Sequence, residues 1–314
     1  MRGSVNYQCN QIYVQSGIFQ PGSSKHEAKN DALSKVDKGT PDNVAQHTGI
    51  YSDKYDKEVK NTFHELGHHA RQEHKLRDMT KLDEKHVRSY LEQKIQSPTV
   101  NKYGSFSKIA SHVGKIGKIL ESYDGQPRDF QAAAQSEREI AKDVLDRSTP
   151  DSRGFENPQS VVDRLPGDYN LVGKLQLEGG LRREEASTVH SGQLKGLVKD
   201  PVTGQQRGKV DVDNPKGGKP REVHVSSRTY QELSQRLEKG PIKVTQGTYG
   251  TKVAQAAREA GETCSGSHDF RYNFGASRFN ECIEKGGLNN EQALQQTSWE
   301  MGHERANMTL YYLR

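Results

Sequence analysis

The chain has 314 residues, enough for two domains that each bury a core, and it contains neither a secretory signal nor an apolar run of the roughly 18 residues that a membrane span needs. Three widely separated cysteines match neither a disulfide framework nor a paired set of zinc ligands, so a reducing cytoplasm is the predicted compartment. The net charge of +5 is too small to indicate nucleic acid by itself, and the distribution of charge is more informative.

Residues 1–46 are predicted to form a separate amino-terminal extension. The stretch YQCNQIYVQSGIF, residues 7–19, alternates weakly between apolar and polar side chains, which favours a strand. A Gly-Ser-Ser break and a polar stretch follow it. The residue pattern of this segment therefore differs from the helical periodicity that follows it.

Residues 47–150 are predicted to form a compact all-helical domain. Apolar side chains at helical spacing, with short loops between them, predict helices near 54–76, 83–96, 99–121 and 129–147. The segment DRSTPDSRGFENPQ, residues 146–159, is rich in turn formers and charge, which indicates a linker. A domain of mixed secondary structure is predicted beyond it, over residues 151–314.

The first helix of the helical domain contains the pattern His-Glu-x-x-His, as His64, Glu65 and His68. In zinc metalloproteases the two histidines bind zinc and the glutamate activates a water molecule. Here they lie opposite a predicted buried stripe made of Val59, Phe63, Leu66 and Ala70. Because no third ligand stands at a credible position, we predict no metal site and keep a zinc protease as the least favoured alternative.

The helix predicted at 99–121 carries a basic face. Between residues 93 and 120 there are five lysines and no acidic residue, and an apolar stripe runs through Phe106, Ile109, Val113, Ile116 and Leu120. The reverse side is predicted to present Lys108, Ser111, Lys115 and Lys118. Such a face neutralises phosphates and releases counterions, so we predict DNA contact here and at Arg71 and Lys75 of the helix predicted at 54–76. The alternative interpretation is an ordinary solvated helix face.

In the second domain, RGKVDVDNPKGGKPREVHV, residues 207–225, predicts a β-hairpin, because valines alternate on either side of a glycine-bearing turn. It is one of four short motifs in this domain. They carry, in chain order, Arg182 with Glu185, Lys216 with Lys219 as its alternative, His268 with Arg271, and His303 followed by Tyr311 and Tyr312. Each motif alone is weak, but in this order they resemble the tyrosine recombinase, or phage integrase, family.

The resemblance implies a catalytic role for each motif. Arg182 and Arg271 correspond to the family's two phosphate-binding arginines, with Glu185 as the supporting carboxylate. His268 belongs to the His-x-x-Arg motif, and His303 is the second histidine. Tyr272 replaces the histidine that often follows the arginine of this motif.

The resemblance also selects the nucleophile and the general acid. The family nucleophile lies nine residues after the second histidine, which selects Tyr312 rather than Tyr311. Lys216 corresponds to the hairpin lysine, which protonates the leaving 5′ oxygen. The chemistry implied is cleavage and rejoining of DNA strands through a 3′-phosphotyrosyl intermediate, without ATP, metal or another cofactor.

The resemblance further implies a fold and a set of partners. The fold is mainly α with a small antiparallel β-sheet: an all-helical core-binding domain precedes a catalytic domain, and residues 1–46 are a candidate for binding arm sites. The expected partners are double-stranded recombination sites, three further protomers on synapsed DNA and accessory DNA-bending or directionality proteins. The integrase of a mobile element, monomeric in solution and associated with the nucleoid, is the predicted function. A type IB topoisomerase and a non-catalytic DNA-binding protein remain as alternatives.

Overall fold

The computed structural model describes residues 1–23, 25–34, 48–148, 153–213, 220–303 and 305–313. The chain divides into two compact units, Met1–Thr149 (unit 1) and Pro150–Arg314 (unit 2). Among the described helices, none combines the length and the apolar character that crossing a membrane requires.

The described part of unit 1 consists mainly of helices, with two isolated β-bridges. The helices are α1 (Val5–Gln15), α2 (Lys25–Ser34), α3 (Asp53–His74), α4 (Glu84–Gln96), α5 (Tyr103–Asp124) and α6 (Phe130–Val144), with a 3₁₀ turn at Met79–Lys81. The last four match the predicted helices. Polar side chains define the starts of three of them: Ser52, Asp83 and Asp129 each accept a backbone N–H bond at the amino terminus of α3, α4 and α6. Left-handed residues, Lys75 and Gly125, end α3 and α5.

The predicted strand-like character of residues 7–19 is wrong, because most of them lie in α1. Val5, Cys9 and Ile12 recur at helical spacing and are buried in the core of unit 1. The α1 helix approaches α3 closely at Gly67, where an added Cβ would lie 2.7 Å from Val5 Cγ1. Packing against α3 therefore decides a conformation that the short alternating pattern did not reveal.

The same core confirms the predicted buried stripes. On α3 the side chains of the stripe from Val59 to Ala70 are buried, and on α5 those of Phe106, Val113, Ile116 and Leu120 are buried as well. Ile109 of the α5 stripe is only partly buried and packs against the core. Apolar faces at helical spacing thus meet in one cluster, which holds unit 1 together.

Unit 2 combines helices with two small antiparallel sheets. Its helices are α7 (Pro158–Asp163), α8 (Asp168–Gly179), α9 (Arg183–Ala186), α10 (Ser227–Leu237), α11 (Gln246–Glu259), α12 (Asp269–Glu284) and α13 (Asn290–Glu300), with 3₁₀ turns at Ser191–Gln193 and Ala306–Tyr312. Its strands are β1 (Thr188–Val189), β2 (Leu194–Lys199), β3 (Gln206–Val212), β4 (Arg221–Ser226) and β5 (Ile242–Lys243). The β2-β3-β4 sheet and the β1-β5 pair confirm the predicted α+β class.

The predicted hairpin is present as β3 and β4, paired antiparallel with Val210 opposite Val223. The alternating valines of the two strands are buried in the core of unit 2. Helix α8 packs on β4 and ends close to it, since a Cβ at Gly179 would lie 3.3 Å from both Val223 and Val225. This packing fixes where the chain leaves α8 and enters the segment that carries Arg182.

Candidate active site

Arg271 is the most deeply buried charged side chain of the site. It lies in the first turn of α12, fully inaccessible to solvent, and its guanidinium donates to the carbonyls of Gly180 and of Met301, the latter at 3.0 Å. Gly180 has a left-handed backbone, and a Cβ there would lie 2.4 Å from the Phe274 ring. Only glycine therefore lets the end of α8 approach α12 closely enough to reach Arg271.

The charge of Arg271 has no carboxylate partner among the described residues, and its Nε makes no hydrogen bond. Burial lowers the pKa of Arg271 to about 10, so the side chain stays protonated at neutral pH. A buried cation whose hydrogen-bond partners are neutral groups retains its full charge. The surroundings of Arg271 are therefore suited to receive an anion.

Arg182 and Glu185 form a second part of the site at the start of α9. Glu185 accepts the backbone N–H of Arg182 at 2.7 Å and its Nη1 at 2.8 Å. Arg221, the first residue of β4, donates to the same carboxylate at 2.9 and 2.6 Å. Burial alone would raise the pKa of Glu185, but the bonds from Arg221 and Arg182 lower it to about 2, so the carboxylate is ionised.

Tyr312 brings the last part of the chain into the same site. Its hydroxyl lies 3.3 Å from His303 Nε2 and 3.5 Å from His268 Nε2, and Arg271 Nη2 lies 3.4 Å from His303 Nε2. The Tyr312 ring packs against α12 at Gly275, where a Cβ would lie 2.7 Å from Tyr312 Cβ. Tyr312 is 8% exposed whereas the neighbouring Tyr311 is 52% exposed. Burial and the contacts with both histidines thus distinguish Tyr312 from the adjacent, exposed Tyr311.

The two histidines are held neutral. Burial, followed by the positive charge of Arg271, lowers the pKa of both His268 and His303 to about 4. A neutral imidazole has one nitrogen that accepts a proton. Since both Nε2 atoms lie beside the Tyr312 hydroxyl, either histidine can accept its proton at neutral pH.

Two further arginines lie next to these site residues, and the sequence analysis did not predict them. Arg221 bonds Glu185 as described, and Arg153 donates to the Tyr272 hydroxyl at 2.9 Å while lying over its ring at 5.3 Å. The Tyr272 ring lies 4.8 Å from that of Tyr312. Arg221 could have been found as the basic residue opening the strand after the hairpin tip, whereas Arg153 carries no signal in the sequence.

Comparisons with known proteins bear on the fold. No protein-family model matches the sequence, and no curated protein matches it. Among solved structures, the crystal structure of a lambda integrase dimer bound to a COC' core site is similar, with a TM-score of 0.52, 11% identity, and coverage of 97% of this chain and 80% of that chain. The chain has the lambda integrase fold. The structure of XerA recombinase is also found, with a TM-score of 0.40, 10% identity, and coverage of 92% of both chains.

Two of the predicted catalytic residues lie outside the part of the chain that the structure describes. Lys216 and its alternative Lys219 both lie in residues 214–219, outside the described residues. The five other predicted catalytic side chains and Glu185 lie within one connected cluster of unit 2. Its links join Arg182 to Glu185 and to the Gly302 carbonyl, Arg271 to the Met301 carbonyl and His303, and Tyr312 to both histidines.

The predicted basic face of α5 is paired more extensively than its sequence indicates. Lys108 bonds Glu58 at 2.7 Å, Lys118 bonds Glu121 at 2.8 Å, and the exposed Ser111 accepts from Arg138 at 2.9 Å. Lys115 is 9% exposed and donates to the Thr48 carbonyl at 2.6 Å. The predicted solvent exposure of Lys115 is therefore wrong, because its ammonium group bonds the segment before α3.

The two predicted DNA-binding residues of α3 lie near its end. Arg71 is half-buried and donates to the Arg77 carbonyl at 3.2 Å. Lys75, the residue that ends α3 in a left-handed conformation, is exposed and donates to the Gln72 carbonyl. Both side chains thus border the surface where the chain leaves the helix.

The His-Glu-x-x-His pattern of α3 makes contacts within unit 1. His64 Nε2 lies 2.9 Å from Asn10 Oδ1, and His68 Nε2 lies 2.8 Å from Asn6 Oδ1. Glu65 accepts a hydrogen bond from Tyr90. Over the described ranges, no group of three His, Cys, Asp or Glu side chains has the geometry to hold a metal ion. The two histidines therefore join α3 to α1.

Proposed function

We propose that this protein is a site-specific DNA recombinase, the integrase of a mobile element, which breaks and rejoins strands with Tyr312 as its nucleophile. The observation that carries the proposal is the position of the Tyr312 hydroxyl between His268 and His303, beside the uncompensated charge of Arg271. Attack on a phosphodiester needs this combination: a nucleophile, a proton acceptor and fixed positive charge. The lambda integrase fold is consistent with the proposal.

Arg182 and Arg271 bind the non-bridging oxygens of the scissile phosphate, and His303 is a third donor once it carries a proton. Guanidinium groups suit this role because their paired N–H donors match two phosphate oxygens. Charge on these oxygens grows as the pentavalent transition state forms, so donors that are already held in place stabilise it most. The burial of Arg271 and the anchoring of Arg182 by Glu185 support such preorganisation.

The bond changes of the proposed reaction balance without a further reagent. The Tyr312 oxygen forms a bond to phosphorus and its proton passes to His268, while the bond from phosphorus to the 5′ oxygen breaks. Lys216 donates a proton to that 5′ oxygen. The products are a 3′-phosphotyrosyl link and a 5′ hydroxyl, and because the link keeps the phosphodiester energy, a second 5′ hydroxyl reverses the attack without ATP.

Unit 1 contributes DNA contacts in this proposal through Lys108, Lys118 and Ser111 of α5 and through Arg71 and Lys75 of α3. Contacts with phosphates position a protein on the duplex and make its affinity dependent on salt. Four protomers would hold two recombination sites, while accessory DNA-bending or directionality proteins would assist.

The test is covalent capture of a suicide DNA substrate, whose cleaved 5′ fragment dissociates so that the protein stays attached to the 3′ end. Tyr312→Phe should abolish the attached product while leaving DNA binding unchanged, because only the nucleophilic oxygen is removed. Tyr311→Phe is the matched control and should retain capture, since this side chain is exposed. If Tyr311→Phe abolishes capture and Tyr312→Phe does not, the assignment of the nucleophile is wrong.

A further inference from the structure

Arg221 shares the Glu185 carboxylate with Arg182 and contacts both oxygens. Its Nη1 lies 2.9 Å from Oε1 and its Nη2 lies 2.6 Å from Oε2, with the side chain 8% exposed. Arg182 reaches this carboxylate with a single guanidinium nitrogen, Nη1, at 2.8 Å, and is 18% exposed. The bidentate partner of Glu185 is therefore the more buried Arg221.

This sharing limits how Arg182 can pair with Glu185. An arginine beside a lone carboxylate tends to form two parallel hydrogen bonds with it, which occupies one edge of the guanidinium. Because Arg221 holds both oxygens, Arg182 retains donors on Nε and Nη2 that Glu185 does not accept. Two arginines and one carboxylate also leave the group with a net charge of +1.

A third bond from Arg221 reaches the turn that carries His303. Its Nε donates to the Glu300 carbonyl at 3.2 Å, and a Cβ at Gly302 would lie 2.9 Å from its Nη1. Gly302 has φ +71°, and its carbonyl accepts from Arg182 Nη2 at 3.1 Å. Arg221, the first residue of β4, thus contacts two segments of the site: the start of α9, through Glu185, and the turn that carries His303.

We infer that Arg221 is a positioning residue of the cleavage reaction: it occupies Glu185 so that the charge of Arg182 stays directed at the scissile phosphate. The inference rests on the proposed function. Arg221 acts through Glu185 in this account and does not touch the phosphate, because its guanidinium already bonds the carboxylate and a carbonyl. Removing it would let Arg182 turn onto Glu185.

The test compares single-turnover covalent capture at saturating suicide DNA with the Kd for the same DNA. Arg221→Ala should slow capture about 10- to 100-fold, the order expected when a phosphate-binding group is displaced, while Kd changes little. Arg221→Lys restores the charge with one bond in place of two, so its rate should be intermediate. Arg228→Ala is the matched control, because its side chain is 87% exposed and bonds Glu232 instead.

A double-mutant cycle separates positioning from direct contact. In the Glu185→Gln background, Arg221→Ala should have a much smaller effect on capture, since the two residues act as one unit. Equal effects in both backgrounds would overturn the inference and indicate that Arg221 binds the phosphate itself. Should Arg221→Ala fold poorly by thermal denaturation, Arg221→Lys decides, because a rate equal to the wild type contradicts the inference.

The capture assay also distinguishes this inference from the proposed function. Absence of any covalent product with the wild-type protein would contradict the proposed function. A wild type that forms the product, together with an Arg221→Ala variant that forms it at the same rate, contradicts only the inference about Arg221.

Discussion

Arg271, His268 and His303 show how single side chains set the charge of the site. Burying a cation is unfavourable unless its donors are satisfied, and Arg271 uses two backbone carbonyls that depend on Gly180 and Met301. Burial, followed by the positive charge of Arg271, lowers the pKa of both histidines and keeps them neutral. The motif residues were predicted from their order along the chain and the family resemblance that this order carries, but their protonation depends on burial, which no local pattern encodes.

This charge arrangement predicts a pH dependence of stability. The pKa of both histidines is about 4 in the folded protein, compared with 6.5 for the ordinary side chain. Between these values the unfolded chain binds more protons, so the free energy of unfolding rises with pH. The contribution is complete above about pH 6.5 and is lost as pH falls towards 4.

The measurement is denaturant unfolding at several pH values from 7 to 4.5, followed by the fluorescence of Trp299, the single tryptophan, which lies in unit 2. The double variant His268→Gln, His303→Gln should be compared with the wild type. The unfolding free energy of the wild type should fall more steeply than that of the variant as pH falls, because the variant lacks two groups that take up protons on unfolding. Parallel curves would show that the histidines are not held neutral by the fold.

At the scale of elements, α5 combines a buried apolar stripe with a face that the sequence made look uniformly basic. The lack of acidic residues within the helix up to Leu120 is a local property, and it was predictable. The acid that pairs with Lys108 comes from α3, 50 residues away, and the carbonyl that holds Lys115 precedes α3. Packing of other segments therefore decides which lysines are available for phosphates.

The proposal that α5 binds DNA gives a prediction for two lysines. Lys108→Ala combined with Lys118→Ala should weaken DNA binding at all sequences, because bonds to phosphates carry no base specificity. The slope of log Kd against log salt should fall by about 2, since each lysine that no longer neutralises a phosphate lowers it by about 1. Lys142→Ala is the control, since this lysine of α6 also pairs with a carboxylate three residues away. An unchanged slope would show that α5 is not part of the DNA interface.

At the scale of the whole molecule, a helical unit and a unit of mixed structure each have their own core. The candidate site is contained within unit 2, and the basic helix within unit 1. Covalent chemistry and the proposed phosphate binding by α5 can therefore be tested separately by substitutions in one unit or the other. In the proposed function, recombination requires both units, together with further protomers.

Assembly supplies the prediction at this scale. The protein alone should elute as a monomer in gel filtration with light scattering, and four protomers should be present on DNA carrying two recombination sites. Products of strand exchange should appear in a two-site recombination assay. One protomer per DNA molecule, with relaxation of supercoiled plasmid and no exchange, would instead support a type IB topoisomerase.

The sequence by itself determined the helices of unit 1 after residue 50 and the β3-β4 hairpin, because periodicity and short spacings are local properties of the chain. The four motifs were predicted from the resemblance to a family, and their catalytic roles stay a prediction. Only the tertiary structure decided the helical conformation of α1, the burial of Lys115, and the pairing of Arg221 with Glu185 across 36 residues and of Arg153 with Tyr272 across 119. These features depend on how distant elements pack, and a contact between distant residues leaves no periodic signal in either segment.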